Sequence, residues 1–164
     1  MKFYHGGLTP IYEPNEGYAA PSSDFGPGFY IAKYKEQAEK RALYKYNKDK
    51  DKYPDVNPIV SVYSLDMDKI KNDFKYKYFE NPSKEWAKFI ILCRRLYEHD
   101  YDVVDGPMAD SNIVFLVKDI ILDEIDDAIV KEMIFKWPNH QLMLRHDALS
   151  CLKFEYSYNV LTGV

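Results

Sequence analysis

The residues near the C-terminus constrain the fold most. Leu152, Phe154, Tyr156, Tyr158 and Val160 alternate with Lys153, Glu155, Ser157 and Asn159. Period-two patterning over nine residues is the signature of a half-buried β-strand, and such a strand needs a sheet to complete it. Lys2–His5 reads as a short strand at the other end of the chain. Phe29–Ala32, Ile59–Leu65, Tyr101–Val104 and Gln141–Leu144 supply further short strands.

Between them lie helical patterns. Lys35 to about Asn47 sets Ala38, Ala42 and Tyr46 on one face. Trp86, Phe89, Ile90, Cys93 and Leu96 recur at helical spacing behind Ser83, a suitable cap. Two further helices are expected over about Ser111–Ile120 and Glu124–Phe135, with Asp110 and Asp123 as N-caps, and a helical turn over His146–Cys151. Strands at both ends with helices between them predict an α+β fold with a mainly antiparallel sheet. With 164 residues and no linker, one domain over 1–164 is expected.

Residues 6–28 break the pattern. Gly6, Pro10, Pro14, Gly17, Pro21, Gly26, Pro27 and Gly28 punctuate a stretch with almost no periodicity. A structureless stretch of this length inside a compact domain is usually functional or mobile.

Several functional classes are disfavoured. The first residues lack the apolar run of a signal peptide, and Phe89–Cys93 and Ile113–Val117 are too short to span a bilayer. A cytoplasmic location and no membrane partner are therefore expected. Cys93 and Cys151 form no paired motif and read as buried thiols; His5, His99, His140 and His146 have no metal-ligand spacing, so no metal is assigned. No P-loop, nucleophile elbow or Rossmann fingerprint is present. The net charge of −4 hides an asymmetry: residues 1–97 carry 17 Lys/Arg against 13 Asp/Glu, and residues 98–164 carry 5 against 13. Lys33–Lys52 interleaves lysines with tyrosines, as a single-strand groove does. Glu36, Glu39, Asp49 and Asp51 favour a solvated helix and charged loop instead, and the overall acidity disfavours nucleic acid as a partner.

Three segments, taken in order, match something specific. They are Tyr4-His5-Gly6-Gly7, Asp24-Phe25-Gly26-Pro27-Gly28-Phe29-Tyr30-Ile31-Ala32, and Asn139-His140-Gln141-Leu142-Met143-Leu144 with the nearby Ala148–Phe154. This resembles the ADP-ribosyltransferase superfamily, in the branch typified by poly(ADP-ribose) polymerases and diphtheria toxin. Over nearly its whole length, including Tyr101–Asp110, the chain is similar to a bacterial family of uncharacterised proteins placed in that superfamily. Members of that family look like toxins encoded beside small antitoxin partners.

The resemblance implies a split, mainly antiparallel sheet with flanking helices, and NAD as substrate without a metal. His5 would bond the adenosine-side ribose and the backbone of Gly6 the nicotinamide amide. Tyr30 would stack on the nicotinamide ring, and Gly28 belongs to the same glycine-tyrosine motif. Gln141 stands where the superfamily keeps a glutamate; its amide oxygen can accept from a ribose hydroxyl but brings no net charge. Asp24 or Asp110 could supply that charge. Asp24 also reads as a turn residue, and Asp110 reads equally as a helix cap.

Trp137-Pro138-Asn139-His140 occupies the position of a target-recognition loop, although Trp137 also suits a core. The expected activity is mono-ADP-ribosyl transfer from NAD to an unidentified macromolecule, with a small antitoxin as partner. NAD glycohydrolysis and an inactive NAD-fold binding module are the alternatives.

Overall fold

A computed structural model describes the backbone of residues 1–164 and the side chains of all but Ser111, Val114, Phe115 and Leu116. The strands are β1 (Lys2–Gly7), β2 (Phe29–Ala32), β3 (Ile59–Ser64), β4 (Tyr76–Tyr78), β5 (Val103–Gly106), β6 (Gln141–Leu144) and β7 (Lys153–Asn159). The α-helices are α1 (Lys35–Asp49), α2 (Met67–Asp73), α3 (Lys84–Arg94), α4 (Val114–Asp119) and α5 (Asp127–Met133). The fold is α+β. One seven-stranded sheet runs in the order β4-β5-β6-β2-β1-β3-β7, antiparallel except for the parallel pair β4 and β5.

That sheet has a seam. β1 and β3 pair along six positions, and β2 and β6 along four. β1 and β2 pair only at Tyr4 and Ala32. A four-stranded half and a three-stranded half therefore diverge from a single join. Backbone groups beyond such a join must find other partners.

Each face buries its own apolar cluster. On one, α3 lays Trp86, Ala87, Ile90 and Ile91 against Phe25, Phe79, Val104 and Met143. Ser83 caps α3 by accepting from the Trp86 backbone N–H at 3.1 Å, and the Trp86 indole N–H donates to the Pro107 carbonyl at 2.8 Å. The other face packs Phe3, Phe29, Ile31, Tyr63, Ile70, Leu142 and Leu144. Fully burying an aromatic or branched side chain is worth about 1.5–3 kcal/mol, so these two clusters carry most of the fold.

Helix α1 crosses the seam on top of β1. A Cβ at Gly6 would lie 2.0 Å from the Ala38 carbonyl oxygen and 2.9 Å from the Ala42 nitrogen. Only a glycine lets the strand and helix approach this closely.

Several sequence expectations need adjustment. The strand expected at Tyr101–Val104 begins two residues later, because the Asp102 and Val103 N–H groups both donate to the Lys75 carbonyl. That same contact brings in β4, which with α2 had no clear sequence signal. The helix expected at Ser111–Ile120 is a 3-10 turn followed by α4. The one expected at Glu124–Phe135 is α5, and Asp126, not Asp123, caps it by accepting from the Ile129 N–H. No helix among the described residues is long and apolar enough to cross a membrane.

Candidate functional site

The seam opens into a cleft of about 670 Å³. That is within the usual range of ligand pockets, roughly 300–1,000 Å³. His5, Gly6, Asp24, Tyr30 and Gln141 all line it. Residues from the first strand, the glycine-rich segment and a late strand thus converge, and the sheet order explains how. β2 lies between β1 and β6, so its Tyr30 stands beside the strands that carry His5 and Gln141.

His5 spans the seam. Its Nδ1 lies 2.7 Å from the Tyr30 carbonyl, and a carbonyl only accepts, so Nδ1 carries the proton. Burial, with the nearby charges of Lys45 and Arg41 adding to it, lowers the imidazole pKa to about 4 despite that backbone bond. The ring is therefore neutral at physiological pH, and its Nε2 lone pair is an acceptor. The ring is fixed by stacking on Phe29 at a centroid distance of 4.6 Å. A neutral acceptor suits a hydroxyl donor.

Tyr30 is anchored at its far end. Its hydroxyl donates to the Gly26 carbonyl at 2.6 Å and accepts from the Phe25 N–H at 2.9 Å. Burial, with the charge of Asp24 nearby, raises its pKa well above the ordinary phenol value, so it remains neutral. The side chain thus offers the cleft a ring of fixed orientation.

Gln141 is 7% exposed and donates from Nε2 to Asp24 Oδ2 at 3.1 Å. That bond fixes which way the amide faces: Oε1 is the end left to accept. Asp24 is engaged at both oxygens. Its Oδ1 receives Nε and Nη2 of Arg94, at 2.8 and 2.5 Å, and its Oδ2 receives the Ala109 N–H at 2.9 Å. Neither a turn residue nor a free charge for the cleft describes it. Asp24 is a buried hub joining the glycine-rich loop, α3, the segment after β5 and Gln141. A donor bond to a carboxylate polarises the amide, making Oε1 a stronger acceptor.

The other candidates lie elsewhere. Asp110 is not part of the cleft lining; it accepts from the Asn112 N–H at 2.9 Å, a capping contact. Gly28 is buried under β6, where a Cβ would sit 2.3 Å from Met143 Sδ. Trp137 is at the cleft rim and not in the core, packed edge-on against Phe135 with Lys40 Nζ 4.1 Å above its ring.

Sequence reading missed two contributors. Arg94 was not singled out in the sequence. The cationic face of α1 looked solvated, yet Gln37, Lys40, Arg41, Tyr44 and Lys45 line the cleft. Their spacing, i, i+3, i+4, i+7 and i+8, is one helical face, and that was legible.

His140, adjacent to Gln141, belongs to a different cluster. Its Nε2 and the Tyr76 hydroxyl both donate to the Asp105 carboxylate, beside a smaller cavity of about 210 Å³. The two cysteines are free; burial pushes the Cys93 thiol up to about 12, and Cys151 is half-buried. Among the described residues no group of His, Cys, Asp or Glu is placed to hold a metal.

No curated protein and no solved structure matches the chain. The model of one family, whose description reads "Protein of unknown function (DUF3990)", matches residues 1–154, and the chain belongs to that family.

Proposed function

We propose that this protein cleaves NAD and transfers its ADP-ribosyl group to a macromolecular acceptor in the cytoplasm. One observation carries the reading. A neutral acceptor at His5 Nε2, the fixed ring of Tyr30 and an amide acceptor at Gln141 Oε1 line one cleft at the seam of the sheet.

In that reaction the bond between the ribose carbon and the nicotinamide nitrogen breaks, and its electron pair leaves with the nicotinamide. An acceptor nucleophile bonds to the same carbon and releases a proton. Nicotinamide leaves a cationic linkage, so no strong acid is needed. The protein has to grip the donor and favour the positive charge developing at the ribose carbon. Tyr30 holds the ring by stacking, and His5 and Gln141 accept from ribose hydroxyls. The Asp24 charge is offset by Arg94, and Asp24 also polarises the Gln141 amide. With no free carboxylate to act as base, transfer of a single unit is expected and chain elongation is not.

This arrangement also supports a second reading. The uncharged Gln141 and the neutralised Asp24 suit a protein that binds NAD without turning it over. Incubation with NAD labelled in the adenylate half, with and without cell lysate, separates the cases. Transfer gives free nicotinamide and labelled macromolecules; glycohydrolysis gives nicotinamide and free ADP-ribose; a binding module gives a raised melting temperature and neither product.

A small antitoxin that covers the cleft is part of the toxin reading. Co-expression with any small gene product encoded beside it should recover a complex and suppress nicotinamide release. Free expression without toxicity, and no complex, would remove that part.

A further inference from the structure

The cleft has a wall that the reading above leaves unused. Helix α1 presents Lys40, Arg41 and Lys45 to it. Some lysines elsewhere pair with carboxylates, as Lys35 does with Glu39 on the same helix, Lys69 with Asp73 and Lys77 with Glu85. Among the described residues, none of the three cleft cations has a carboxylate within 4.0 Å.

What they touch instead is neutral. Lys40 rests on Trp137, and the Arg41 guanidinium carbon is 5.6 Å from the Tyr44 ring centre. Lys45 Nζ donates one bond, 3.2 Å, to the Gly6 carbonyl, which leaves two N–H groups. Burial and the charge of Arg41 lower the Lys45 pKa, and both cations reach His5 electrostatically. Like charges crowded in a concave site, without counter-charges, are stabilised by a bound anion.

We propose that Arg41 and Lys45, with Lys40 at the rim, form a diphosphate subsite that recognises the pyrophosphate of a dinucleotide. The identity of that dinucleotide rests on the NAD reading; the diphosphate chemistry does not. The subsite lies on α1, and Lys45 holds the Gly6 carbonyl, next to His5, the group proposed to hold a ribose; the contact of the Gly6 backbone with the nicotinamide amide that the resemblance implies is not part of this arrangement. The nicotinamide end at Tyr30 and Gln141 is built from β2 and β6. Affinity for the donor therefore comes from α1 and the orientation of its reacting end from the strands.

The test uses calorimetric titration of the full chain with ADP, with nicotinamide and with NAD, at low and at high salt. Arg41→Gln and Lys45→Met each remove one charge; Arg41→Lys restores it. Wild type should bind ADP, more weakly at high salt. Each neutral variant should weaken ADP and NAD binding roughly tenfold and leave nicotinamide unchanged, with Arg41→Lys recovering part of the loss.

Arg41 is exposed on α1, so its substitution should leave the helix intact, and circular dichroism checks it. If wild type binds ADP and the variants lose it while NAD neither binds nor reacts, the diphosphate subsite stands and the NAD reading fails. If NAD binds or is cleaved and both neutral variants keep full ADP and NAD affinity, the subsite is overturned and the NAD reading stands. Failure of wild type to bind ADP overturns it outright.

Discussion

His140 and Gln141 are neighbours in sequence and belong to opposite designs. On one side of β6, His140 and Tyr76 close on the Asp105 carboxylate. Each donor has an acceptor, and the cluster ties β4 and β5 to the residue before β6. On the other side, Gln141 is tied at its nitrogen to Asp24 and left open at its oxygen, in a cleft that His5 and the three cations of α1 also line. A closed polar cluster holds strands together. An open one, with acceptors left over and cations that no carboxylate neutralises, is where the proposed ligand would bind. The two can be told apart by what their loss damages: stability alone, or binding.

The largest effect is expected at the hub that supports the open side. Asp24→Ala leaves the Arg94 guanidinium buried without its counter-charge and strands two further donors. Removing one partner of a buried pair costs about 3–5 kcal/mol. Urea unfolding should show that loss, and binding should fall with it.

Next is the pH dependence of His5. Its pKa is lowered from the ordinary 6.5 to about 4, so between those values the unfolded chain binds more protons than the folded one. Stability is therefore fully present above pH 6.5 and declines as pH falls toward 4, by as much as ~3 kcal/mol in total. His99 is shifted the same way, so the wild-type slope contains both. His5→Asn should flatten the profile by the His5 share. A parallel profile in the variant would mean that His5 is not held neutral.

The closed side should respond with stability alone. Asp105→Asn takes away an acceptor shared by two buried donors, costing about 1–3 kcal/mol. Its midpoint in urea should drop while ADP and NAD affinities remain at wild-type values. A loss of affinity in the stable fraction would show that the two sides of β6 are not independent.

Gln141 gives the smallest stability effect and the sharpest functional one. Gln141→Ala leaves Asp24 with Arg94 and Ala109, so folding changes little, yet nicotinamide release should fall roughly 10- to 100-fold. Gln141→Glu places a second carboxylate against Asp24, and the pair is then driven to share a proton. The introduced group's pKa is raised in the folded state, so stability is lost as pH rises through it, and activity should fall as well. A gain of activity in Gln141→Glu would show that Arg94 leaves the site short of negative charge.

These contrasts also show what the sequence could convey. The period-two run at Lys153–Asn159, the Ser83 cap and the strand at Phe29–Ala32 were legible because each depends on residues close together in the chain. The grouping of His5, Tyr30 and Gln141 was legible only through a resemblance. Asp24 was underread because its partners, Arg94, Ala109 and Gln141, lie far along the chain. Strand β4 was invisible for a similar reason. Its three residues alternate too briefly to signal, and pairing with β5 makes them a strand. The cationic face of α1 was visible as a helical stripe, but nothing local says whether such a stripe faces water or a cleft.

The central claim is that the open side of β6 takes NAD, and nicotinamide release tests it most directly. Purified wild type, Tyr30→Ala and Gln141→Ala, each checked for folding, are incubated with NAD and the free nicotinamide is measured over time. The account predicts steady release by wild type beyond one equivalent of protein, reduced in Gln141→Ala and abolished in Tyr30→Ala. No release by wild type, together with an unchanged melting temperature at saturating NAD, would contradict it.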